Sequence, residues 1–124
     1  MNFNRDKILR DFSQFKGRIL AILLFGSTLT GEQHVRSDID ICLVAPASNP
    51  DELFKEILKM DVTERYDVKI FELLPLGLKG RILEDHIVVW TRDKYELSYY
   101  LYKWKKIWLD QKLSLRKLGF EIYS

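Results

Sequence analysis

Two aspartates near the start of a predicted strand are the residues most suited to chemistry. Asp38 and Asp40 are separated by one residue, at the start of a stretch of alternating polar and apolar side chains. Side chains two apart on a strand point to the same face, so the two carboxylates are expected to lie close together and repel each other. A divalent cation between them removes that cost. Since Mg²⁺ favours a few carboxylate oxygens and keeps water and substrate phosphates as its other ligands, the pair predicts a magnesium site.

A glycine and a serine upstream of this pair are suited to hold a phosphate group. Gly26 and Ser27 end an apolar run, and ten residues separate Ser27 from Asp38. Glycine permits a turn that another molecule can approach closely, and Ser27 stands where a helix would begin, with free backbone N–H groups. We therefore expect Gly26 and Ser27 to hold a polyphosphate while its metal rests on Asp38 and Asp40.

A third carboxylate would complete a two-metal site, and Asp67 is the best candidate. It lies between two apolar residues in a predicted strand, where an acid without a purpose is out of place. The alternative is an ordinary ion pair between Asp67 and Lys69 on the same strand face. Glu72 is the rival ligand, but its parity along the strand is opposite to that of Asp67, and a solvated acid near a strand end is ordinary.

Hydrophobic periodicity and helix-start signals predict the elements that must position these residues. Asn49 followed by Pro50 and Glu52 is a typical helix start, and the continuous apolar run at residues 18–25 is typical of a buried central strand. We predict helices over residues 3–15, 49–60, 75–84 and 93–118, and strands over residues 18–25, 38–45, 66–73 and 87–91. This order predicts one domain over residues 1–124, a small α/β (or α+β) sandwich.

The predicted C-terminal helix carries two apolar stripes instead of one. The broad stripe contains Leu97, Tyr100, Leu101, Trp104, Ile107, Trp108, Leu115 and Leu118. The second stripe, on the opposite side, contains Tyr95, Tyr99, Tyr102, Leu109 and Leu113. One stripe can pack on the domain, and the other then needs a further surface. We expect a partner protein or a homodimer there, because aromatic side chains are enriched at interfaces.

Composition excludes several classes of protein. The 124 residues carry a formal net charge of +2, which excludes a generally basic nucleic-acid coat protein, and we do not expect a nucleic-acid partner. The single cysteine, Cys42, excludes a disulfide framework and lies in an apolar run, where a buried thiol is expected. No apolar run approaches the roughly 20 residues of a membrane span, and the charged N-terminus is unlike a signal peptide, so we expect a cytoplasmic protein.

The segment GSTLTGEQHVRSDID resembles the GS-x10-DxD signature of the minimal nucleotidyltransferases (MNT family), compact members of the polymerase-beta-like nucleotidyltransferase superfamily. The likeness extends over residues 12–92, most of the chain. It implies a small mixed sheet with flanking helices and ATP as the substrate. Gly26 and Ser27 would bind the triphosphate, and Asp38 and Asp40 would hold Mg²⁺, with two ions expected. Asp67 would be the third ligand and would also draw a proton from the attacking hydroxyl.

The resemblance also implies a biological role. Many MNT proteins are antitoxins paired with a HEPN-domain toxin, a ribonuclease, and similar antitoxins attach AMP to a tyrosine of that toxin. Larger relatives carry an extra domain for the acceptor, whereas roughly thirty residues follow the last predicted strand here, enough for one helix. A protein acceptor held by a partner is therefore favoured. The alternatives are a non-catalytic toxin-binding module and a nucleotidyltransferase acting on RNA or a small molecule.

Overall fold

The computed structural model describes residues 4–26, 29, 39–61 and 65–119. Four helices and four strands are described, in the order α1 (Arg5–Asp11), β1 (Ala21–Leu24), β2 (Ile39–Val44), α2 (Pro50–Leu58), β3 (Tyr66–Ile70), α3 (Leu76–Glu84), β4 (Ile87–Thr91) and α4 (Lys94–Lys117). Two short 3₁₀ turns, Ser13–Phe15 and Phe71–Leu73, follow α1 and β3. The predicted mixed α/β fold with a long C-terminal helix is confirmed.

The described strands form a mixed sheet in the order β3-β2-β1-β4. Strand β1 pairs antiparallel with both β2 and β4, whereas β2 and β3 run parallel. Consequently the end of β1, the start of β2 and the start of β3 meet at one edge of the sheet. The predicted turn and the predicted carboxylates lie at these strand ends.

Side-chain caps explain why two helices begin where the sequence predicted. The Asn49 side chain accepts hydrogen bonds from the backbone N–H groups of Asp51 and Glu52, with Pro50 at the first helical position. Asp93 caps α4 in the same way. Each cap satisfies N–H groups that have no partner within the helix, so these starts are encoded locally.

Both faces of the sheet are buried, each under its own helices. One hydrophobic cluster joins α1 and α2 to the sheet, and its most buried members include Ile8, Phe12, Ile22, Ile41, Leu43 and Ile57. The other joins α3 and α4 to the opposite face, with Leu23, Cys42, Val44, Phe71, Ile82, Leu97 and Trp108. The predicted burial of Cys42 is confirmed. Double burial accounts for the nearly continuous apolar sequence of β1 and the end of β2.

The outer side of α4 is uncovered. Leu97, Leu101 and Trp108 anchor the helix to the domain, while all five members of the second predicted stripe are exposed. The prediction that the whole broad stripe packs on the domain was wrong for Ile107 and Leu118, which are also exposed. None of the helices within the described ranges combines the length and apolar character needed to cross a bilayer.

Most predicted elements are shorter in the structure, and a physical reason is visible for β1 and β3. Helix α1 ends at Asp11, and β1 begins only at Ala21 because the chain is still turning at residue 18, whose N–H donates to the carbonyl of Phe15. Strand β3 ends at Ile70. There the Glu72 carboxylate accepts the N–H of Ala45 at 2.9 Å, so a side chain takes the donor that a longer ladder would have used.

Candidate functional site

Three of the predicted site residues meet at the sheet edge where β1 ends and β2 and β3 begin. Asp40 and Asp67 are direct register partners on the parallel strands β2 and β3. Both lie on the α3 and α4 side of the sheet, because Asp40 shares strand parity with buried Cys42 and Asp67 alternates with inward residues of the other cluster. Adjacent positions of one sheet face carry two carboxylates here, as a shared cation would require.

The turn at Gly26 lies directly against Asp40. The Gly26 backbone has a φ of 68°, in the left-handed region that glycine enters without a steric penalty. A β-carbon built at Gly26 would stand only 2.8 Å from Oδ2 of Asp40. The N–H of Phe25 also donates to the carbonyl of Asp40 at 3.3 Å, which ties the end of β1 to β2. A side chain at position 26 is therefore excluded by backbone conformation and by space.

Ser27 and Asp38, the other two predicted site residues, lie outside the described residues. The proposed phosphate contact of Ser27 and the metal contact of Asp38 stay predictions. Within the described ranges, no three His, Cys, Asp or Glu side chains converge closely enough to hold a metal ion. The predicted metal ligands are Asp38, Asp40 and Asp67. Of these, the structure describes Asp40 and Asp67.

Asp67 also makes the ion pair that was its alternative interpretation. The Nζ of Lys69 lies 3.4 Å from Oδ1 of Asp67, and the two side chains remain 37% and 47% exposed. An ion pair this open to water contributes little to stability and is easily exchanged for another cation. The ion pair and a ligand role for Asp67 are therefore compatible.

Glu72, the rival third carboxylate, lies away from the Asp40 and Asp67 pair and accepts hydrogen bonds within the protein. It belongs to the 3₁₀ turn after β3, so strand parity does not describe its direction. One carboxylate oxygen accepts the Ala45 N–H, and the other accepts the Tyr100 hydroxyl at 2.8 Å. The expectation of a solvated acid at a strand end was wrong, since Glu72 joins the sheet to α4.

A buried polar cluster around Glu72 was not predicted. Lys79 of α3 is almost fully buried, donates to the Leu74 carbonyl at 2.6 Å and lies 4.5 Å from the centre of the Trp104 ring. Burial lowers the pKa of Lys79, which nearby Glu72 partly offsets. Burial, followed by the charge of Glu72, raises the pKa of Tyr100. The sequence held a signal for Lys79, because it falls on the apolar stripe of its helix.

Comparison with known proteins gives independent information on this chain. A family model described as polymerase beta, nucleotidyltransferase, matches residues 7–95, a range that includes Gly26, Asp40 and Asp67. A protein of Methanocaldococcus jannaschii, provisionally named a protein adenylyltransferase, is 43% identical over 103 residues. That alignment covers 83% of this chain and 80% of the archaeal protein.

Two solved structures share the fold. A chain in the crystal structure of a toxin-antitoxin with AMP-PNP matches with a TM-score of 0.72 and 19% identity, over 94% of this chain and 95% of that one. A chain in the complex of a tri-AMPylated Shewanella oneidensis HEPN toxin with an MNT antitoxin matches with a TM-score of 0.64 and 15% identity, over 92% and 91%. At these identities the likeness concerns the fold.

Proposed function

Because the chain belongs to the polymerase beta nucleotidyltransferase family and is therefore a nucleotidyltransferase, we propose that it transfers AMP from ATP to a tyrosine of a HEPN-domain toxin and acts as its antitoxin. The observation that carries this proposal is the placement of Asp40 and Asp67 as register partners beside the Gly26 turn. The archaeal relative supports a protein acceptor. The shared fold of the toxin-antitoxin complexes supports the class of partner.

The carboxylates fit the metal that such a reaction uses. Asp40 and Asp67 offer hard oxygen donors on adjacent strands, which Mg²⁺ prefers. Together with Asp38 they would hold the metal, with two ions expected. When bound, Mg²⁺ neutralises charge on the phosphate oxygens and on the departing pyrophosphate.

The chain's own residues supply position and a proton acceptor. The turn at Gly26 places backbone without a side chain directly against Asp40, and Gly26 and Ser27 would hold the oxygens of the triphosphate. The tyrosine hydroxyl oxygen forms a bond to the α-phosphorus, the bond between that phosphorus and the pyrophosphate oxygen breaks, and Asp67 takes the hydroxyl proton. Holding the nucleophile and the nucleotide together in line accounts for much of the acceleration. Since cells supply ATP in the cytoplasm, we propose that compartment for the reaction.

The test is transfer of label from α-labelled ATP, with Mg²⁺, to a purified HEPN-domain toxin from the same source cells. We expect a labelled toxin band with the wild type, and a loss of roughly 100-fold or more in rate with Asp40→Asn or Asp67→Asn, because each removes a carboxylate charge that would hold the metal. Asp51→Asn is the matched control, since Asp51 is exposed at the start of α2, and it should keep the wild-type rate.

Other outcomes would point to the alternatives. Neutralisation of the toxin at full strength by the Asp40→Asn/Asp67→Asn variant would contradict a catalytic mechanism and favour a binding module. Label that enters RNA instead of protein would contradict the protein acceptor. Replacing the toxin tyrosines by phenylalanine tests the acceptor group, because label should then be lost while binding of the toxin persists.

A further inference from the structure

The exposed side of α4 has the spacing of a coiled-coil seam. Its members recur every three or four residues: Tyr95, Tyr99, Tyr102, Lys106, Leu109, Leu113 and Arg116. This alternation keeps one line of side chains facing a second helix. We call this line the outer seam. It is a property of the helix alone, since the opposite side of α4 carries the contacts to the domain.

The outer seam is too apolar to be an ordinary solvated surface. Tyr95, Tyr99 and Tyr102 are 75%, 76% and 66% exposed, and Leu109 and Leu113 are about half exposed. Single exposed apolar side chains are normal, but five on one side of a helix, broken only by Lys106, indicate an interaction site. What covers the seam is indicated by the charges beside it.

One flank of the outer seam carries charges that alternate in sign every seven residues. Glu96, Lys103, Asp110 and Lys117 are all exposed. Set against its own copy in reversed direction, this row places Glu96 beside Lys117 and Lys103 beside Asp110. In a two-fold dimer each of these pairs occurs twice. In a parallel pair this row would instead face the second flank of the other copy, so its alternating charges would not meet each other.

The seam residues match in the same reversed register. Tyr102 falls opposite Leu113 of the second copy, and Tyr99 falls opposite Arg116, a favourable contact of a cation with an aromatic face. Lys106 falls opposite Leu109. A single lysine in such a seam selects one register at some cost in stability.

The second flank is compatible with this pairing. It sets Lys105 against Lys112 of the second copy, but the Nζ of Lys112 lies 2.9 Å from Oε1 of Glu84 in its own chain, which offsets the repulsion. Glu96 also pairs with Arg92 one turn earlier, at 3.1 Å, and stays half exposed. Its carboxylate can therefore accept a second cation.

We propose that α4 joins two copies of this chain into an antiparallel, two-fold dimer through the outer seam. The occupant of the seam is thus a second copy, selected by the self-complementary charge row. This inference does not rest on the proposed adenylyl transfer, because assembly is measured without nucleotide or toxin.

A charge-swap experiment on the purified full chain tests the pairing, with sedimentation velocity over a concentration series as the readout. Lys103→Glu sets like charges against Asp110 twice per dimer and should raise the dissociation constant roughly tenfold. The double variant Lys103→Glu/Asp110→Lys restores opposite charges and should restore the wild-type constant. Lys55→Glu makes the same charge change on the exposed side of α2 and should leave the constant unchanged.

Cysteine cross-linking tests the direction of the helices. Tyr102→Cys and Leu113→Cys should cross-link with each other when the two variants are mixed and oxidised, and neither should cross-link efficiently alone. The native Cys42 is buried and should not take part. A wild-type chain that stays monomeric up to high micromolar concentration overturns the proposal, as does efficient cross-linking of Tyr102→Cys with itself. Seam variants that weaken only toxin binding in a monomeric chain would assign the seam to the toxin instead.

Discussion

At Gly26 both the backbone conformation and the neighbouring Asp40 require a residue without a side chain. Its φ of 68° belongs to the left-handed region, and the space where a side chain would begin is occupied by the Asp40 carboxylate. Any other residue there would be strained and would displace a group that we propose as a metal ligand. Position 26 therefore links the local turn directly to the geometry of the site.

The variant Gly26→Ala should lose most activity while the protein stays folded. The left-handed backbone costs an alanine about 1 kcal/mol, and the 2.8 Å approach to Oδ2 forces the Asp40 carboxylate to move. A displacement of this kind near a reacting centre lowers the rate by roughly 100-fold. The measurements are adenylyl transfer and thermal unfolding.

Gly17→Ala is the control for this substitution. A β-carbon at Gly17 meets nothing within 4 Å, so activity and stability should remain close to wild type. Wild-type activity in Gly26→Ala would show that the site tolerates a shifted Asp40, and would contradict its role as a ligand.

At the scale of elements, the contact of α3 with α4 depends on one missing side chain. Gly80 lies so close to the Trp108 ring that a β-carbon there would be 2.2 Å from a ring carbon. Trp108 in turn donates from Nε1 to Glu84 at 3.0 Å. Gly80 lowers the helix propensity of α3, but it also lets α4 lie close to α3.

Two alanine substitutions in α3 should have opposite effects on stability. Gly80→Ala should lower the free energy of unfolding by about 1–3 kcal/mol, because the added methyl group overpacks the contact with Trp108. Gly77→Ala should raise it by about 0.5–1 kcal/mol, since alanine is the better helix former and a β-carbon there meets nothing within 4 Å. Urea denaturation measures both. Equal effects of the two substitutions would contradict this account of the helix contact.

At the scale of the whole molecule, the α3 and α4 side of the sheet brings three titratable side chains close together. Cys42, Lys79 and Tyr100 all belong to, or pack on, the α3 and α4 side. Burial, followed by the charge of Glu72, raises the pKa of Cys42, and Lys79 partly offsets this. The folded protein therefore holds the thiol proton at a pH where the unfolded chain releases it, so the contribution of Cys42 to stability falls as pH rises through the ordinary thiol pKa.

The variant Cys42→Ala should remove the pH dependence of stability that comes from the Cys42 thiol and leave that of the other groups. An unfolded thiol titrates near pH 8.5, and each additional proton held by the folded state costs about 1.4 kcal/mol per pH unit above that value. The difference in free energy of unfolding between wild type and variant should be constant below about pH 8. Between about pH 8.5 and 10 the wild type should lose stability relative to the variant. Urea denaturation at each pH measures it.

Other groups do not disturb this comparison. Tyr100, whose pKa is raised, and Lys79, whose pKa is lowered, are present in both proteins, and Cys42 is the smallest contributor to either shift, so their contributions largely cancel in the difference. Val44→Ala is the matched control, because it removes buried volume on the same sheet face without removing a titratable group. A difference that stays constant up to pH 10 for Cys42→Ala would contradict the raised pKa of the thiol.

The sequence alone determined much of this protein. The starts of α2 and α4 were predictable because Asn49 and Asp93 cap them through local hydrogen bonds. The face shared by Asp40 and Cys42 followed from strand alternation, and the resemblance that rests on residues 26–40 led to the nucleotidyltransferase family, which the comparisons confirm. These features depend on neighbours a few residues away.

Only the tertiary structure decided how distant segments meet. Three features depend on contacts between residues far apart in the chain. They are the parallel register that sets Asp67 beside Asp40, the end of β3 at Ile70 and the burial of Lys79. Short-range periodicity carries no information on strand order or direction, because hydrogen bonds between strands are available in either sense. Packing of two separate helix layers selects among them, and that selection brings the carboxylates to one edge of the sheet.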